Sequence, residues 1–154
     1  MACLALVGVV TASCGRGPVE VDTPALSAST DRACTALVKA LPASVDGAER
    51  RDVEPAGAAA AAAAWGDPAI VLRCGVAMPK EFDEFATCQE TNGVGWFIPE
   101  EQVTGEPRPI TMTTIGRDVN VQVTLPAEHW PPANAMVDLA PAIKQTTEEK
   151  APCV

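Results

Sequence analysis

Tyrosine is absent from this 154-residue chain, histidine occurs once, and no serine follows Ser44. These absences remove the side chains from which most nucleophilic and acid–base sites are built. The sequence also lacks the G-x-S-x-G, H-E-x-x-H, P-loop and G-x-G-x-x-G motifs. A glycosidase-type carboxylate pair is the remaining alternative, but no spacing singles out two of the 20 acidic residues. We therefore expect a protein that is not an enzyme and that uses no cofactor.

Basic residues are scarce as well. The 11 lysines and arginines stand against 20 acidic residues, and the net charge is -9. No run rich in lysine or arginine occurs, so we exclude nucleic acid as a partner and attachment to anionic lipid by charge alone. Leucine, isoleucine, valine and phenylalanine total only 33, whereas alanine alone accounts for 27 residues. A core this thin predicts that covalent cross-links support the fold.

The N-terminal segment has the pattern of an export signal. An apolar run of about ten residues, too short to span a membrane as a helix, is followed by small residues. The tetrapeptide Thr11-Ala12-Ser13-Cys14 resembles a bacterial lipobox, although threonine stands where leucine is usual. We predict a signal segment at 1–14 with lipid attachment at Cys14, a flexible tether at 15–28 and one globular domain at 29–154. Plain secretion and a buried N-terminal strand are the alternatives to lipidation.

These features predict an extracytoplasmic protein that its lipid holds on the outer face of the cytoplasmic membrane, or else a secreted one. Four cysteines remain in the body, and an even number in an exported chain predicts two disulfides. We favour Cys74–Cys88, which closes a short loop, together with Cys34–Cys153, which ties the first helix to the C-terminus. Zinc is the rival, but no C-x-x-C motif occurs, so we expect no metal site.

Local patterns predict two helices and about four strands. Residues 29–41 carry one apolar stripe at helical spacing before Pro42, and residues 136–143 predict a second helix. Apolar alternation predicts a central strand at 69–76 and a further strand at 94–98. The remaining strands are predicted as a short edge strand at 50–55 and a hairpin at 109–125, whereas the alanine run at 58–64 is ambiguous. The expected fold is α+β, a two-layer sandwich of a mainly antiparallel sheet under an N-terminal and a C-terminal helix, held by disulfides.

The turn of the predicted hairpin fixes the pairing of its two strands. Gly116 and Arg117 suit the two central positions of a type II′ turn, because glycine tolerates a positive φ at the first of them. That turn places Met112 opposite Val121 and keeps the apolar residues of both strands on one face.

Four residues are candidates for binding. Arg73 interrupts an apolar strand and needs a partner, either a ligand or an acid such as Asp67. Arg117 at the hairpin tip is a candidate anion contact, or a solvated turn residue. The rings of Trp65 and Trp96, with Trp130, can stack on a sugar or can pack in the core. The lone His129 has no partner in the pattern, and we predict a surface residue.

Several blocks of the chain resemble one family. They are Cys34-Thr-Ala-Leu-Val-Lys-Ala-Leu-Pro42, Arg50-Arg51, Ala63-Ala-Trp-Gly-Asp-Pro-Ala-Ile-Val-Leu-Arg-Cys-Gly-Val76, Asn92-Gly-Val-Gly-Trp96 and Thr113-Thr-Ile-Gly-Arg117. Over about residues 30–145 the chain is similar to a family of small exported actinobacterial proteins, domain of unknown function 3515. The resemblance implies export and membrane attachment, and it implies no activity.

Two functional hypotheses follow. In the first, the chain is a non-catalytic envelope lipoprotein that presents a surface to another envelope protein as an assembly or accessory factor. In the second, it is an extracytoplasmic module that binds a small glycan or peptide through tryptophan and arginine side chains. A pocket lined by Trp65, Trp96 and Arg73 would favour the second hypothesis.

Overall fold

The computed structural model describes residues 17–83, 85–103 and 105–153, which form ten strands and two α-helices. The strands are β1 Val19–Glu20, β2 Ser44–Val45, β3 Ala48–Arg51, β4 Val53–Glu54, β5 Ala62–Trp65, β6 Ile70–Cys74, β7 Cys88–Thr91, β8 Val94–Phe97, β9 Ile110–Ile115 and β10 Val121–Leu125. The helices are α1 Ala28–Ala40 and α2 Ala133–Thr146, and short 3-10 helices cover Ala56–Ala60, Glu100–Gln102 and Ala127–His129.

Eight of the strands form one antiparallel sheet in the order β2-β3-β5-β6-β10-β9-β8-β7. The other two, β1 and β4, pair with each other in parallel. The prediction of about four strands is therefore wrong. Short strands with little apolar alternation, such as Cys88-Gln-Glu-Thr91, escaped the sequence pattern.

The alanine run is the largest departure from the sequence interpretation. Residues 58–60 belong to a 3-10 helix, and Ala62, Ala63 and Ala64 form a strand in which each is at most 1% exposed. This strand pairs with β3 on one side and with β6 on the other. Alanine has little intrinsic preference for strands, so burial within the sheet overrides local propensity here.

Helix α1 forms as its sequence predicts. The Ser27 side chain caps it by accepting a hydrogen bond from the Thr30 backbone N–H, at 3.2 Å, and Asp31 lies in the first turn, near the positive end of the helix dipole. Pro42 follows the cap residue Leu41. The helix buries Cys34 and Leu37.

Helix α2 is longer than predicted and contains Pro141. It packs against α1, and its Leu139 and Ile143 are fully buried in the same core as Leu37. Both helices lie on one side of the sheet, which we call its inner face; we call the opposite side its outer face. On β6, Ile70, Leu72 and Cys74 point to the inner face and are fully buried, whereas Val71 and Arg73 point to the outer face.

The β9–β10 hairpin differs from its predicted pairing by two residues. Met112 lies opposite Val123 rather than Val121, and Ile110 lies opposite Leu125. The connection is longer than two residues, and the C-terminal segment pairs with it. Asp118 N–H donates to Glu148 C=O at 3.0 Å, and Lys150 N–H donates to Gly116 C=O at 2.7 Å. A shift by two leaves every side chain on the predicted face.

Both disulfides are present, but their pairing is not the predicted one. Cys34 bonds to Cys74 with 5.5 Å between Cα atoms, and Cys88 bonds to Cys153 with 5.8 Å. The Cys74 side chain points to the inner face, towards α1, whereas Cys88 lies opposite Phe97 on the outer face. Three strands also separate β6 from β7, so a Cys74–Cys88 bond is excluded. Each bond closes a long loop, which the loop-closure model equates with about 4 kcal/mol.

The segment before α1 contacts the body. Val19 N–H donates to Asp52 C=O at 2.8 Å, Val21 N–H donates to Glu54 C=O at 2.9 Å, and the Val21 side chain is buried. This part of the predicted tether at 15–28 is therefore paired with β4. Cys14 and the predicted signal segment lie outside the described residues. In the described part of the chain, neither helix has the length and hydrophobicity that crossing a membrane requires.

Candidate functional site

Trp65 and Trp96 are both core residues. Each ring is fully buried on the inner face of the sheet. The Trp65 Nε1–H donates to Pro42 C=O at 3.1 Å, and the Arg50 guanidinium lies 5.3 Å from the ring centroid. Burial lowers the pKa of Arg50 from its usual value. The Trp96 Nε1–H has no hydrogen-bond partner among the described residues.

Arg73 lies on the other face from these tryptophans. Its guanidinium donates to the Gln122 side-chain carbonyl on the neighbouring strand β10. A neutral amide therefore takes the place of the acid that we expected as the partner of Arg73. The Oδ1 atom of Asp67 lies instead 3.9 Å from Nη1 of Arg51. The explanation is the alternation of the strand, which puts Arg73 on the more polar outer face. Trp65, Trp96 and Arg73 do not meet in one pocket.

Arg117 holds the C-terminal segment. Its Nη1 donates to the backbone oxygen of Thr147 at 2.9 Å and to its side-chain oxygen at 3.2 Å, and its Nη2 donates to Gly93 C=O at 3.0 Å. The side chain is half-buried, so the hairpin tip is not an exposed contact for an anion. Its three acceptors are on two other segments, which the local sequence cannot show.

His129 is not an isolated surface residue. Its side chain is 15% exposed, and its Nδ1 lies 2.8 Å from Asp46 Oδ2. Asp46 also accepts a hydrogen bond from Asn134 Nδ2 at 2.9 Å, and its backbone N–H donates to Asp138 at 2.8 Å. This network joins the turn between β2 and β3 to the start of α2. The partner is 83 residues away in the sequence, which is why the pattern around His129 did not reveal it.

Two adjoining depressions lie along strand β7, and together we call them the edge groove. Its larger part has a volume of about 620 Å³ and its smaller part about 360 Å³; the two share Gln89, Ile98 and Val103. The larger part, which we call the acidic end, includes Glu81, Asp83, Phe85, Glu100 and Glu101. The smaller part, which we call the apolar end, includes Ile110, Trp130, Pro131, Pro132 and Met136.

Two apolar side chains of the groove are unusually exposed. Phe85 is 86% exposed and Val103 is 47% exposed. Below them, Phe82 packs edge-on against Phe97 with 5.4 Å between ring centroids, which holds the loop before β7 on the sheet. Large apolar side chains that stay in water next to a depression are typical of an interaction site.

Strand β7 ends the sheet, so one side of its backbone is unpaired within the sheet. Asn92 and Gly93 form the two-residue turn to β8, with φ of 52° and 77°. In such a hairpin the residues that flank the turn form the hydrogen-bonded pair, and the pairs then alternate. Thr91 and Gln89 therefore bond to β8, whereas the backbone groups of Glu90 and Cys88 point away from the sheet. Glu90 also lines the groove.

The apolar end of the groove is held by contacts within the protein. Thr91 Oγ1 donates to Met136 Sδ at 3.5 Å, which links β7 to the first turn of α2. On the other side of the strand, Cys88 is bonded to Cys153 above Gly95. A Cβ atom on Gly95 would lie 3.2 Å from Cys88 Sγ, so this glycine makes room for the disulfide. Both attachments fix the strand that borders the groove.

The sequence contained only part of the signal for this site. Trp130 lines the groove and was among the three tryptophans considered, but Arg73, Arg117, Trp65 and Trp96 do not line it. The exposed Phe85 lies in an acidic stretch without periodicity. Its position beside an open strand depends on the order of the sheet. No group of described residues has the composition of a metal site.

The fold and the groove define a disulfide-bonded α+β domain with a groove beside strand β7, which ends its sheet. Two disulfides indicate an oxidising, extracytoplasmic environment. The family described as "Protein of unknown function (DUF3515)" matches residues 1–152, so the chain belongs to this family, as the sequence resemblance predicted. No curated protein and no solved structure matches the chain.

Proposed function

We propose that this protein is a non-catalytic envelope lipoprotein, attached to the outer face of the cytoplasmic membrane through Cys14, and that it binds another envelope protein. The edge groove is the proposed binding site, and an extended segment of the partner is the proposed occupant. One observation carries the proposal: strand β7, at the end of the sheet, lies directly beside the edge groove, which includes the 86%-exposed Phe85.

The backbone of β7 favours an extended occupant. The unpaired groups of Glu90 and Cys88 can each exchange hydrogen bonds with an added strand, as in other cases of strand addition at a sheet edge. Side chains of an added strand alternate between two sides. On the inner side they meet Ile98, Val103 and Met136, so that backbone pairing and apolar burial occur together.

The second hypothesis, a small-ligand module, has less support. It depended on tryptophan and arginine side chains in one pocket, and Trp65 and Trp96 are fully buried while Arg73 lies on the other face of the sheet. Of the three tryptophans, Trp130 alone lines the groove. Binding of a glycan at Trp130 is therefore an alternative outcome of the tests below.

Site-specific photo-cross-linking in cells tests the proposal. A photoreactive phenylalanine analogue replaces Phe85 in the groove, and the same analogue replaces Val137 as a control, because Val137 is 46% exposed outside the groove. We expect a discrete adduct only from position 85, with the cross-link mapping to one extended segment of an envelope protein. Equal adducts from both positions, or none from position 85, would refute a docking site there.

A strand-blocking variant makes the test specific for β7. Glu90→Pro removes a backbone N–H that the sheet does not use, so the fold should persist, as it does for proline on edge strands. Glu90→Gln is the matched control, because it removes the charge and keeps the N–H. We expect Glu90→Pro to abolish the adduct and Glu90→Gln to keep it. If the adduct survives in a folded Glu90→Pro protein, or if a labelled N-acetylglucosamine oligomer binds and protects Trp130, strand addition is the wrong mode.

A further inference from the structure

We infer that the segment which occupies the edge groove is cationic as well as apolar. It carries apolar side chains at alternate positions and lysine or arginine residues where it passes the acidic end of the groove. The inference rests on the proposed function, and it adds the chemical class of the partner.

The charge of the groove is of one sign. Its lining includes the acidic residues Glu81, Asp83, Glu90, Glu100 and Glu101, and no lysine, arginine or histidine is among the described residues that line it. None of these five forms an ion pair within 4.0 Å with another described residue. A cationic segment would therefore meet carboxylates that no described basic side chain neutralises.

The nearest basic side chains in the sequence do not change this picture. Arg108 donates through Nη1 to the backbone oxygen of Glu101 at 2.8 Å, not to its carboxylate. Lys80 precedes the acidic stretch and does not line the groove. The acidic end therefore keeps its charge towards the occupant.

The two parts of the groove assign different chemistry to different positions of the occupant. Beside Gln89 and Thr91 the lining is apolar and includes Ile98, Ile110 and Met136, so side chains that point inward there should be apolar. Beyond Cys88 the lining becomes acidic. An extended segment about 3.3 Å long per residue reaches from one part to the other within a few residues.

Other occupants fit the charge less well. A second copy of this chain would bring the same five carboxylates against the first set, and like charges that meet across an interface weaken it. An anionic lipid surface meets the same repulsion. A basic segment of a different protein has neither difficulty.

A peptide series tests the inference on the intact body of the protein. The probe is a fluorescent peptide in which valine alternates with threonine and three lysines follow; in matched probes glutamine or glutamate replaces lysine. At about 0.05 M salt we expect the lysine probe to bind about tenfold tighter than the glutamine probe, and the difference to shrink at about 0.5 M. The glutamate probe should bind weakest.

Charge variants of the protein supply the reciprocal test. Glu100→Gln with Glu101→Gln removes two groove carboxylates, and Glu20→Gln with Glu49→Gln removes two exposed carboxylates outside the groove, with the same change in net charge. We expect the groove pair of substitutions to weaken binding of the lysine probe and to leave binding of the glutamine probe unchanged. The pair outside the groove should change neither. An equal effect of both pairs would indicate a general charge effect and would overturn the inference.

The two proposals fail in different ways. If lysine and glutamine probes bind equally and Glu90→Pro abolishes both, the groove binds strands but charge does not select them, and only this inference fails. If no probe binds and position 85 gives no cross-link, the proposed function fails as well. A third outcome is that the variant with Glu100→Gln and Glu101→Gln self-associates while its affinity for the probes is unchanged. The carboxylates would then serve to keep the edge strand β7 from pairing with another copy, and the inference would be refuted.

Discussion

The Nδ1 atom of His129 lies 2.8 Å from Oδ2 of Asp46, and this contact connects the wall of the edge groove to the turn between β2 and β3. Trp130 and Pro131 follow His129 directly and line the groove. A residue that looked isolated in the sequence therefore positions part of the candidate site.

A double-mutant cycle tests this contact. Asp46 has a φ of 48°, so Asp46→Gly removes the carboxylate without backbone strain, and His129→Ala removes the ring. Because the hydrogen bond is half-buried, we expect a coupling free energy of about 1–2 kcal/mol in urea unfolding. Effects of the two substitutions that simply add would show that the contact does not stabilise the fold.

The next prediction tests whether Arg73 takes part in binding. It donates to Gln122 on the outer face, and no carboxylate lies within ion-pair distance of it among the described residues. Arg73→Met should therefore change the free energy of unfolding by less than about 1 kcal/mol, because no buried partner charge is left behind. It should also leave binding of the lysine probe unchanged. A stable Arg73→Met protein that no longer binds its partner would show that the groove is not the main site.

Non-reducing peptide mapping tests the disulfide pairing. We expect linked peptides that join Cys34 to Cys74 and Cys88 to Cys153. Recovery of a Cys74–Cys88 peptide from native protein would contradict the positions of β6 and β7 in the sheet. Replacing both Cys88 and Cys153 with serine should lower the free energy of unfolding by about 2–5 kcal/mol, measured by urea denaturation.

The proposed lipid anchor is tested at Cys14. If this cysteine carries lipid, Cys14→Ala should move the protein from the membrane fraction to the soluble fraction or leave its signal segment uncleaved. Mass spectrometry of the wild-type N-terminus gives the direct measurement. An unmodified Cys14, together with unchanged membrane fractionation of the variant, would exclude the lipid anchor.

Gly95 tests whether the disulfide and the groove edge depend on each other. Gly95→Val places side-chain atoms where Cys88, Cys153 and Ile115 already lie. We therefore expect the Cys88–Cys153 disulfide to form incompletely, which a titration of free thiols would measure. Gly57→Val is the control, because a Cβ there meets nothing within 4 Å. Complete disulfide formation in the Gly95 variant would show that the outer face has more room than its contacts indicate.

Sequence patterns predicted the elements whose signals are local. Helix α1 has its cap, its apolar stripe and its proline stop within a single stretch, and β6 has full apolar alternation. The sequence patterns failed where contacts between distant parts of the chain decide the structure. Alanines 62–64 form a strand because neighbouring strands bury them, and the cysteine pairing depends on which face each strand presents.

The candidate site was harder to predict than the fold. Its main components are an unpaired strand edge and an exposed Phe85, and neither is a motif. The order of the strands decides which one is last, and that order is a property of the whole sheet. Trp130 was the only groove residue that composition singled out.

The Cys88–Cys153 bond has a consequence for the entropy of binding. Edge strands commonly fray, and a strand that must first become ordered loses conformational entropy when a partner pairs with it. Here β7 is covalently tied to the C-terminal segment, which Arg117 holds through Thr147. The protein side of the groove is thus preorganised, and in the proposed association most of the ordering falls to the incoming segment.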